Sequence, residues 1–312
     1  MNLSLSFTNP ILNRHVYSAA FSPPPPPTPP LSLPIPPPRF LFLSPRTPTT
    51  SRFYILYRVP QRATALSATA TTASIFRDIA ASAAVFAGAY ALVFTFDILT
   101  QKEIIQQSLS RKLVHISSGI LFAISWPIFS NSVEARFFAS LVPLVNCIRL
   151  VIHGLSLADD ESLIKSVTRE GNPKELLRGP LYYVVMLMLC AVLFWRESPV
   201  GVISLGMMCG GDGVADIMGR KFGSSKIPYN QMKSWVGSIS MFVSGFLISI
   251  GMVYYYSALG YFQLDWGDTM YRVALVSLVA TVVESLPISN LIDDNISVPL
   301  ASILAAYFTS IH

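Results

Sequence analysis

The stretch Cys209–Met241 reads CGGDGVADIMGRKFGSSKIPYNQMKSWVGSISM and separates two strongly apolar runs. Asp212 and Asp216 stand four residues apart, so on an α-helix both carboxylates lie on one face. Ionisable groups at the end of an apolar helix are costly and are usually functional. The pattern therefore predicts a chemical site at one end of a membrane helix, around which we expect further helices to pack.

The whole chain has the composition of a membrane protein. Of its 312 residues 52% are hydrophobic and only 12% are charged, and the mean hydropathy is +0.52. A helix needs about 20 apolar residues to cross a bilayer. We therefore predict an all-α fold, a polytopic membrane helix bundle of seven to eight transmembrane helices. The apolar runs are 79–96, 113–129, 135–155, 180–195, 199–219, 237–256, 271–288 and 297–311.

The N-terminal segment has a different composition. Residues 1–77 contain arginine, serine, threonine and many prolines, but no lysine and no acidic residue. This is typical of an organelle transit peptide, and the runs Pro23–Pro27 and Pro36–Pro38 favour a plastid one over an amphipathic helical presequence. The alternative is a disordered proline-rich arm of the SH3-ligand type. We predict a disordered transit peptide over residues 1–70 and a multi-pass membrane domain over 71–312.

Several function classes are excluded by composition and missing motifs. The net charge of +5 comes from the N-terminal arginines, so it does not indicate nucleic-acid binding. The three cysteines lie in apolar runs without a CxxC pair, which argues against zinc and disulfides. Neither a Walker A loop nor a protein-kinase signature nor HExxH occurs.

The distribution of cations predicts the topology. Lysines and arginines concentrate in the loops 97–112, 156–179 and 220–236, whereas the alternate connections hold only Arg136 and Arg196. By the positive-inside rule the three basic loops lie on one side, which in a plastid corresponds to the stroma. His115, Glu284 and the turn Asp293–Asn295 fall at the same membrane face. We therefore expect most ionisable groups of interest to gather there.

The residue types in the central stretch suit phosphoryl transfer. Asp212 and Asp216 are candidate ligands of Mg²⁺, and one of them is a candidate base for a substrate hydroxyl; an ion pair between Asp216 and Arg220 is the structural alternative. Gly211 and Gly213 let the backbone approach a ligand or, alternatively, another helix. The candidate phosphate-binding cations of this stretch are Arg220, Lys221, Lys226 and Lys233.

These residues also carry a resemblance to a known family. GGDGVADIMGRKFGSSKIPYNQMKSWVGS resembles the nucleotide-binding signature of the polyprenol kinases, which include the kinases of phytol, farnesol and dolichol. The resemblance extends to RKLVH at Arg111–His115, to KSVTREGNPKELLRGPLYY at Lys165–Tyr183 and to VESLPISNLIDDNISVPL at Val283–Leu300. It covers roughly Ser110 to the C-terminus.

The resemblance implies a reaction and further site residues. It implies transfer of phosphate from CTP to phytol, an alcohol dissolved in the membrane lipid, with Mg²⁺, and a role in tocopherol biosynthesis from chlorophyll-derived phytol. It assigns Arg111 and Lys112 to phosphate binding and His115 to a substrate or phosphate contact. Glu284 needs a partner, for which Arg149 is a candidate. Asp293, Asp294 and Asn295 form either a further metal or nucleotide contact or a solvated turn.

Several alternatives stay open at this point. Nothing in the residues selects phytol over farnesol or geranylgeraniol, or CTP over another nucleoside triphosphate. A cytidylyltransferase that makes a CDP-lipid would also gather acids and glycines near the interface. An ion-coupled transporter would instead place polar groups near the middle of the membrane and open to both faces.

Overall fold

The computed structural model describes residues 68–158, 164, 167–168, 171–287 and 292–309. The predicted all-α fold is confirmed there, since helices and one two-stranded hairpin make up the regular structure. Residues 1–67 of the predicted transit peptide lie outside the described residues, and the first helix begins at Ala68. The helices are α1 Ala68–Gln101, α2 Gln107–Ser125, α3 Ala135–Gly154, α4 Gly179–Leu193, α5 Pro199–Leu205, α6 Gly213–Phe222, α7 Trp235–Ala258, α8 Trp266–Ser285 and α9 Asp294–Phe308. The strands are β1 Lys226–Ile227 and β2 Asn230–Ser234.

The predicted spans coincide with helices, but their number is not confirmed. Among the residues that the structure describes, five helical segments are long and apolar enough to cross a membrane. The remaining predicted spans correspond to α2, α8 and α9, and α9 has only 15 residues, fewer than the about 20 that a perpendicular crossing needs. The five are Thr72–Gln101, Ala135–Gly154, Pro173–Leu193, Pro199–Phe222 and Trp235–Ala258.

The segment Pro199–Phe222 is the centre of the bundle. Its most apolar window is 83% buried, against 11–39% for the other four segments. A π-helical stretch, Gly206–Asp212, joins α5 to α6. Such wider turns are often found at functional sites, and this one ends on Asp212.

A close helix crossing fixes the position of this π-helical stretch. A Cβ atom on Gly206 would lie 2.6 Å from the hydroxyl oxygen of Ser249 and 3.2 Å from its Cα. A Cβ on Gly211 would lie 3.4 Å from the Cα of Gly245. Because glycine allows the two backbones to approach, α7 packs directly against the stretch that carries Asp212.

The hairpin β1–β2 is tied to the ends of two helices. The side chain of Ser234 accepts a hydrogen bond from the Gly237 amide and caps α7. The side-chain amide of Asn230 donates to the carbonyls of Ser285 and Leu286, at 3.0 and 3.2 Å, where α8 ends. These bonds hold Lys233, which lies between them in the strand, against the end of α8.

The opposite end of the bundle is closed by a buried arginine. Arg196 is 2% exposed, and its guanidinium donates to the carbonyls of Trp126, Phe129 and Ser130. It also lies 5.4 Å from the centre of the Trp195 ring. Arg196 therefore provides hydrogen-bond donors for the backbone carbonyls of the turn that follows α2, and these bonds fix the connection to α3.

Candidate active site

One large cavity contains most of the residues that the sequence singled out. Its volume is about 1540 Å³, and it opens between α1, α2, α3, α4, α6, β2 and the ends of α8 and α9. The predicted site residues in its lining are Arg111, Lys112, His115, Asp212, Asp216, Arg220, Lys226, Lys233, Glu284, Asp293, Asp294 and Asn295. Three predicted site residues, Gly211, Gly213 and Lys221, do not line it.

Lys112 lies between the two aspartates of the central segment. Its ammonium nitrogen is 3.5 Å from Asp212 Oδ2 and 3.6 Å from Asp216 Oδ2. These distances are longer than those of an ordinary hydrogen bond. Lys112 therefore compensates the negative charges without forming a short hydrogen bond to either oxygen. The arrangement arises because α2 packs on α6: a Cβ on Gly213 would lie 2.3 Å from Ile116.

Asp216 also pairs with Arg220, as the structural alternative predicted. Arg220 Nε donates to Asp216 Oδ1 at 3.0 Å, one helical turn away. Half of the Arg220 side chain is exposed, so this pair contributes little stability. Asp216 Oδ2 is buried and has no hydrogen-bond partner among the described residues.

Lys233 neutralises a second group of carboxylates. Its ammonium group donates to Glu284 Oε1 and, at 2.8 Å, to Asp294 Oδ2. Burial acts to lower the pKa of Lys233, but the neighbouring carboxylates outweigh it, and the pKa is raised above its ordinary value. Lys233 is therefore a permanent cation at neutral pH. Glu284 thus pairs with Lys233, not with the predicted Arg149, and it also accepts from Ser238 Oγ at 3.5 Å.

The carboxylate of Asp212 lies close to the two carboxylates that Lys233 binds. One oxygen each from Asp212, Glu284 and Asp294 lies within 4.8 Å of the others. Burial raises the pKa of Asp294, although Lys233 acts against this rise. Acidic oxygens this close together require cations between them, and Lys233 is one such cation.

The turn at Asp293 places two further polar groups in the cavity wall. Asp293 caps α9 by accepting from the Asn295 amide at 2.9 Å and also accepts from the Asn295 side chain at 2.8 Å. Gly179 lies against this turn, since a Cβ there would be 3.3 Å from Asp293 Oδ2. The buried Oδ1 of Asn295 has no hydrogen-bond partner among the described residues. The turn thus lines the cavity, and its contact with a metal or nucleotide stays a prediction.

His115 lies behind the aspartates and contacts the π-helical stretch. Its Nε2 is 3.3 Å from the Met208 carbonyl, which can only accept, so the ring donates there. The Tyr183 ring lies 4.1 Å from the imidazole, and the Tyr183 hydroxyl donates to the His115 carbonyl at 2.8 Å. His115 therefore contacts the backbone that precedes Asp212, and its role in binding substrate or phosphate stays a prediction.

The remaining predicted residues occupy helix contacts or the rim. Gly211 packs on α7 and Gly213 on α2, in agreement with the helix-packing alternative. The ammonium group of Lys221 lies over the ring of Phe222, 5.3 Å from its centre. Their roles in nucleotide binding stay predictions.

Three residues of the cavity were missed as site residues. Arg149 on α3, and Glu175 and Arg178 before α4, line the cavity beside the Asp293 turn. Arg178 and Glu175 lie in KSVTREGNPKELLRGPLYY, one of the stretches that carry the family resemblance. The family resemblance of this stretch could have identified them as site residues. Without it, single charged residues in a long loop look the same as the cations that only set the membrane topology.

The oxygen donors fit a hard divalent cation. Mg²⁺ prefers carboxylate oxygens together with substrate phosphates, and Asp212, Asp216, Glu284 and Asp294 all offer carboxylates to the cavity. The buried, unbonded Oδ2 of Asp216 is an acceptor that a cation would satisfy. The arrangement defines a bundle of apolar helices with a cavity lined by charged residues.

Comparison with known proteins identifies the family. The chain is 64% identical over 248 residues to phytol kinase 1, chloroplastic, of Arabidopsis thaliana, covering 80% of this chain and 82% of that protein. It is 67% identical over 232 residues to a probable phytol kinase 1, chloroplastic, of Glycine max, covering 74% and 77%. Farnesol kinase, chloroplastic, of Arabidopsis thaliana is 41% identical over 234 residues, covering 75% and 76%. No protein-family model and no solved structure matches the chain.

The chain therefore belongs to the polyprenol kinase family, among the phytol kinases. The predicted resemblance is confirmed, and so is the predicted enzyme class, a kinase that phosphorylates an alcohol.

Proposed function

We propose that the chain transfers a phosphoryl group from CTP to the hydroxyl of phytol in the cavity between α1 and α9. The observation that carries this proposal is the convergence of lysines, arginines and carboxylates from separate helices on one cavity that apolar side chains of α1, α2, α3 and α4 also line. Phosphoryl transfer requires mainly positioning and charge neutralisation. A membrane-dissolved alcohol requires in addition that the charged groups meet an apolar surface.

The carboxylates divide into two functional groups in this proposal. Lys233 holds Glu284 and Asp294 at hydrogen-bonding distance, whereas Lys112 stays 3.5–3.6 Å from Asp212 and Asp216. Asp212 Oδ2 and Asp216 Oδ2 are therefore the more available ligand atoms, and we assign Mg²⁺ to these two carboxylates. Bound there, Mg²⁺ supplies neutralisation of the triphosphate oxygens and helps to orient them.

The chain's own residues supply proton and charge handling. One carboxylate of the pair Asp212 and Asp216 accepts the proton of the alcohol hydroxyl as the new P–O bond forms. Lys112, Arg220 and Lys226 also line the cavity and neutralise the transferred phosphate and the departing CDP, whose bond to that phosphate breaks. Arg111 and Lys233, with the Asp293–Asn295 turn, also line the cavity and extend this surface toward the rest of the nucleotide, whereas Lys221 lies outside the lining.

The product and location follow from the same proposal. The products are phytyl phosphate and CDP, and phytyl phosphate feeds tocopherol biosynthesis from phytol released by chlorophyll breakdown. The relatives named chloroplastic and the acid-free N-terminal segment support a plastid membrane. The excess of cations in three loops supports a charged cavity that faces the stroma.

The reaction is tested with purified protein in lipid vesicles that contain phytol. Each γ-labelled nucleoside triphosphate is supplied in turn with and without Mg²⁺, and lipid-extractable label is measured. We expect labelled phytyl phosphate with CTP and Mg²⁺. If ATP is the better donor, the nucleotide assignment is wrong while the kinase stands; label that stays in water with every donor contradicts the proposed reaction.

Farnesol is the second candidate substrate, because a relative named farnesol kinase is 41% identical over 234 residues. Competition between phytol and farnesol in the same vesicles separates the two, and geranylgeraniol can be included as a third alcohol. The higher identity to the proteins named phytol kinase favours phytol.

The same assay addresses two other reaction classes. A cytidylyltransferase would require a lipid that already carries phosphate and would release diphosphate from CTP. A transporter would move ions or solutes without forming a phosphorylated lipid. The gathering of charged groups at one cavity, rather than along a path through the bundle, favours the kinase over the transporter.

A further inference from the structure

One face of α1 continues the charged cavity into an apolar region. The α1 residues in the lining recur at helical spacing and change from apolar to polar along the helix. The stretch from Phe86 to Thr100 spans 14 residue steps, or about 21 Å at 1.5 Å per residue. The α1 residues in the lining are Phe86, Ala89, Tyr90, Val93, Phe94, Phe96, Asp97, Thr100 and Gln101.

Both ends of this helical face are held in place. Near its start, Asp78 accepts from the Ser130 amide at 2.6 Å, and Ser82 Oγ donates to the Phe138 carbonyl at 2.8 Å. At the other end, Ser110 Oγ donates to the Phe96 carbonyl at 3.4 Å. The wall between these anchors is consequently a fixed part of the fold.

The middle of α1 is sparsely covered by protein. Only 11% of its most apolar window is buried, and Phe86, Tyr90 and Phe94 are 44%, 63% and 53% exposed. All three aromatic residues also line the cavity, where Ala89 and Val93 lie between them and are half-buried. This face of α1 therefore offers the cavity an apolar surface.

Other helices also supply apolar residues to the cavity. Val114, Leu150 and Val184, from α2, α3 and α4, line it together with the cations Lys112 and Arg149. An occupant that satisfies both regions must have one polar end and one extended apolar end. Free nucleotide and a soluble peptide lack such an end.

We propose that the α1 face binds the isoprenoid chain of the alcohol substrate and that Ala89 and Val93 determine the chain length accepted. This inference rests on the proposed function and adds a chain-binding site to it. The chain lies along α1 with its hydroxyl toward Asp212 and Asp216, and the small side chain of Ala89 leaves room for its distal units. The continuity of one cavity from those carboxylates to Phe86 is the observation that selects this occupant over a bulk lipid chain.

The test compares Ala89→Phe with Ala91→Phe on the same helix. Ala91 is exposed, lies about 200° around the helix from Ala89 and does not line the cavity. Initial rates are measured for geraniol, farnesol and phytol, together with the KM for the nucleotide. We expect Ala89→Phe to lower kcat/KM for phytol at least about tenfold relative to geraniol, as filling a packed site does, with the nucleotide KM unchanged and Ala91→Phe like the wild type.

Equal losses for all three alcohols in Ala89→Phe, or the same selectivity change in Ala91→Phe, would overturn the inference. A direct measurement decides the question even if the wild type phosphorylates none of the alcohols. A diazirine placed at the distal end of a farnesol analogue is photolysed with the wild-type protein, and the modified peptide is sequenced. Labelling on α1 between Phe86 and Val93 that excess phytol suppresses supports the site; labelling elsewhere, or labelling that only bulk phospholipid suppresses, contradicts it.

Discussion

At the scale of single residues, lysines decide how the carboxylates of this cavity divide their roles. Lys233 is bonded to Glu284 and Asp294, and Lys112 stays at longer range from Asp212 and Asp216. The difference in distance distinguishes a structural ion-pair cluster from a pair of carboxylates with available oxygens. Both groups belong to the same cavity, so sequence position alone does not separate them.

The first prediction concerns the available carboxylates. Asp212→Asn and Asp216→Asn should each lower kcat for phytol phosphorylation at least about a hundredfold, since each removes a charge that metal binding or proton transfer uses. The amide has the same shape, so Tm should change little. Asp265→Asn, which keeps a cap at the far end of α8, is the matched control. Turnover within a factor of about two of the wild type in both variants would remove the aspartates from the mechanism.

The second prediction concerns Lys233. Lys233→Met leaves the buried Glu284 and the partly buried Asp294 without their cation, which should cost about 3 kcal/mol of stability and lower Tm. The double variant Lys233→Met with Glu284→Gln should recover part of that loss. If the double variant is less stable than Lys233→Met, the ion-pair cluster is not the source of the effect.

The pH dependence of this pair has a defined sign. The pKa of Lys233 is raised in the folded protein, so its contribution is complete below its ordinary value and is lost only as pH rises through the raised one. The Tm difference between wild type and Lys233→Met should therefore stay constant from pH about 7 to about 9. A difference that shrinks steadily over this range would show that Lys233 titrates there.

At the scale of elements, the π-helical stretch and α7 form the contact that orients Asp212. Glycine permits the approach at Gly206, Gly211 and Gly245. The sequence alone does not show whether such glycines let a ligand approach the backbone or let two helices cross closely. The structure favours the crossing, because Gly211 faces Gly245 rather than the cavity.

The third prediction tests this contact. Gly206→Val should push α7 away, since a Cβ there already meets the Ser249 backbone at 3.2–3.3 Å, and it should lower stability by about 1–3 kcal/mol. Activity should fall as well, because Asp212 moves with the stretch. Gly251→Val on α7 is the control, as nothing lies within 4 Å of its Cβ position. The crossing is unimportant if the two variants melt at the same temperature.

At the scale of the whole molecule, one cavity brings together charged groups from several helices, and the buried Arg196 lies outside it, in the turn after α4. The fourth prediction follows from this arrangement and from the loop cations. In a background without the buried Cys147, Cys190 and Cys209, cysteines at Asn172 and Ser225 should react with an impermeant maleimide from one side of oriented vesicles. A cysteine at Gly267 should react only from the other side. Labelling of Asn172 and Ser225 from opposite sides would contradict a single charged face.

The sequence by itself determined the fold class, the family and most of the charged residues of the cavity. Long apolar runs leave few alternatives to membrane helices, and Asp212, Asp216 and the RKLVH stretch carry chemistry that apolar helices do not otherwise tolerate. The partner of Glu284, the π-helical turn and the separation of the carboxylates into two groups were decided only by the tertiary structure. Lys233 and Glu284 lie 51 residues apart, and which cation reaches which acid depends on how α7, α8 and the hairpin pack, which no local pattern encodes.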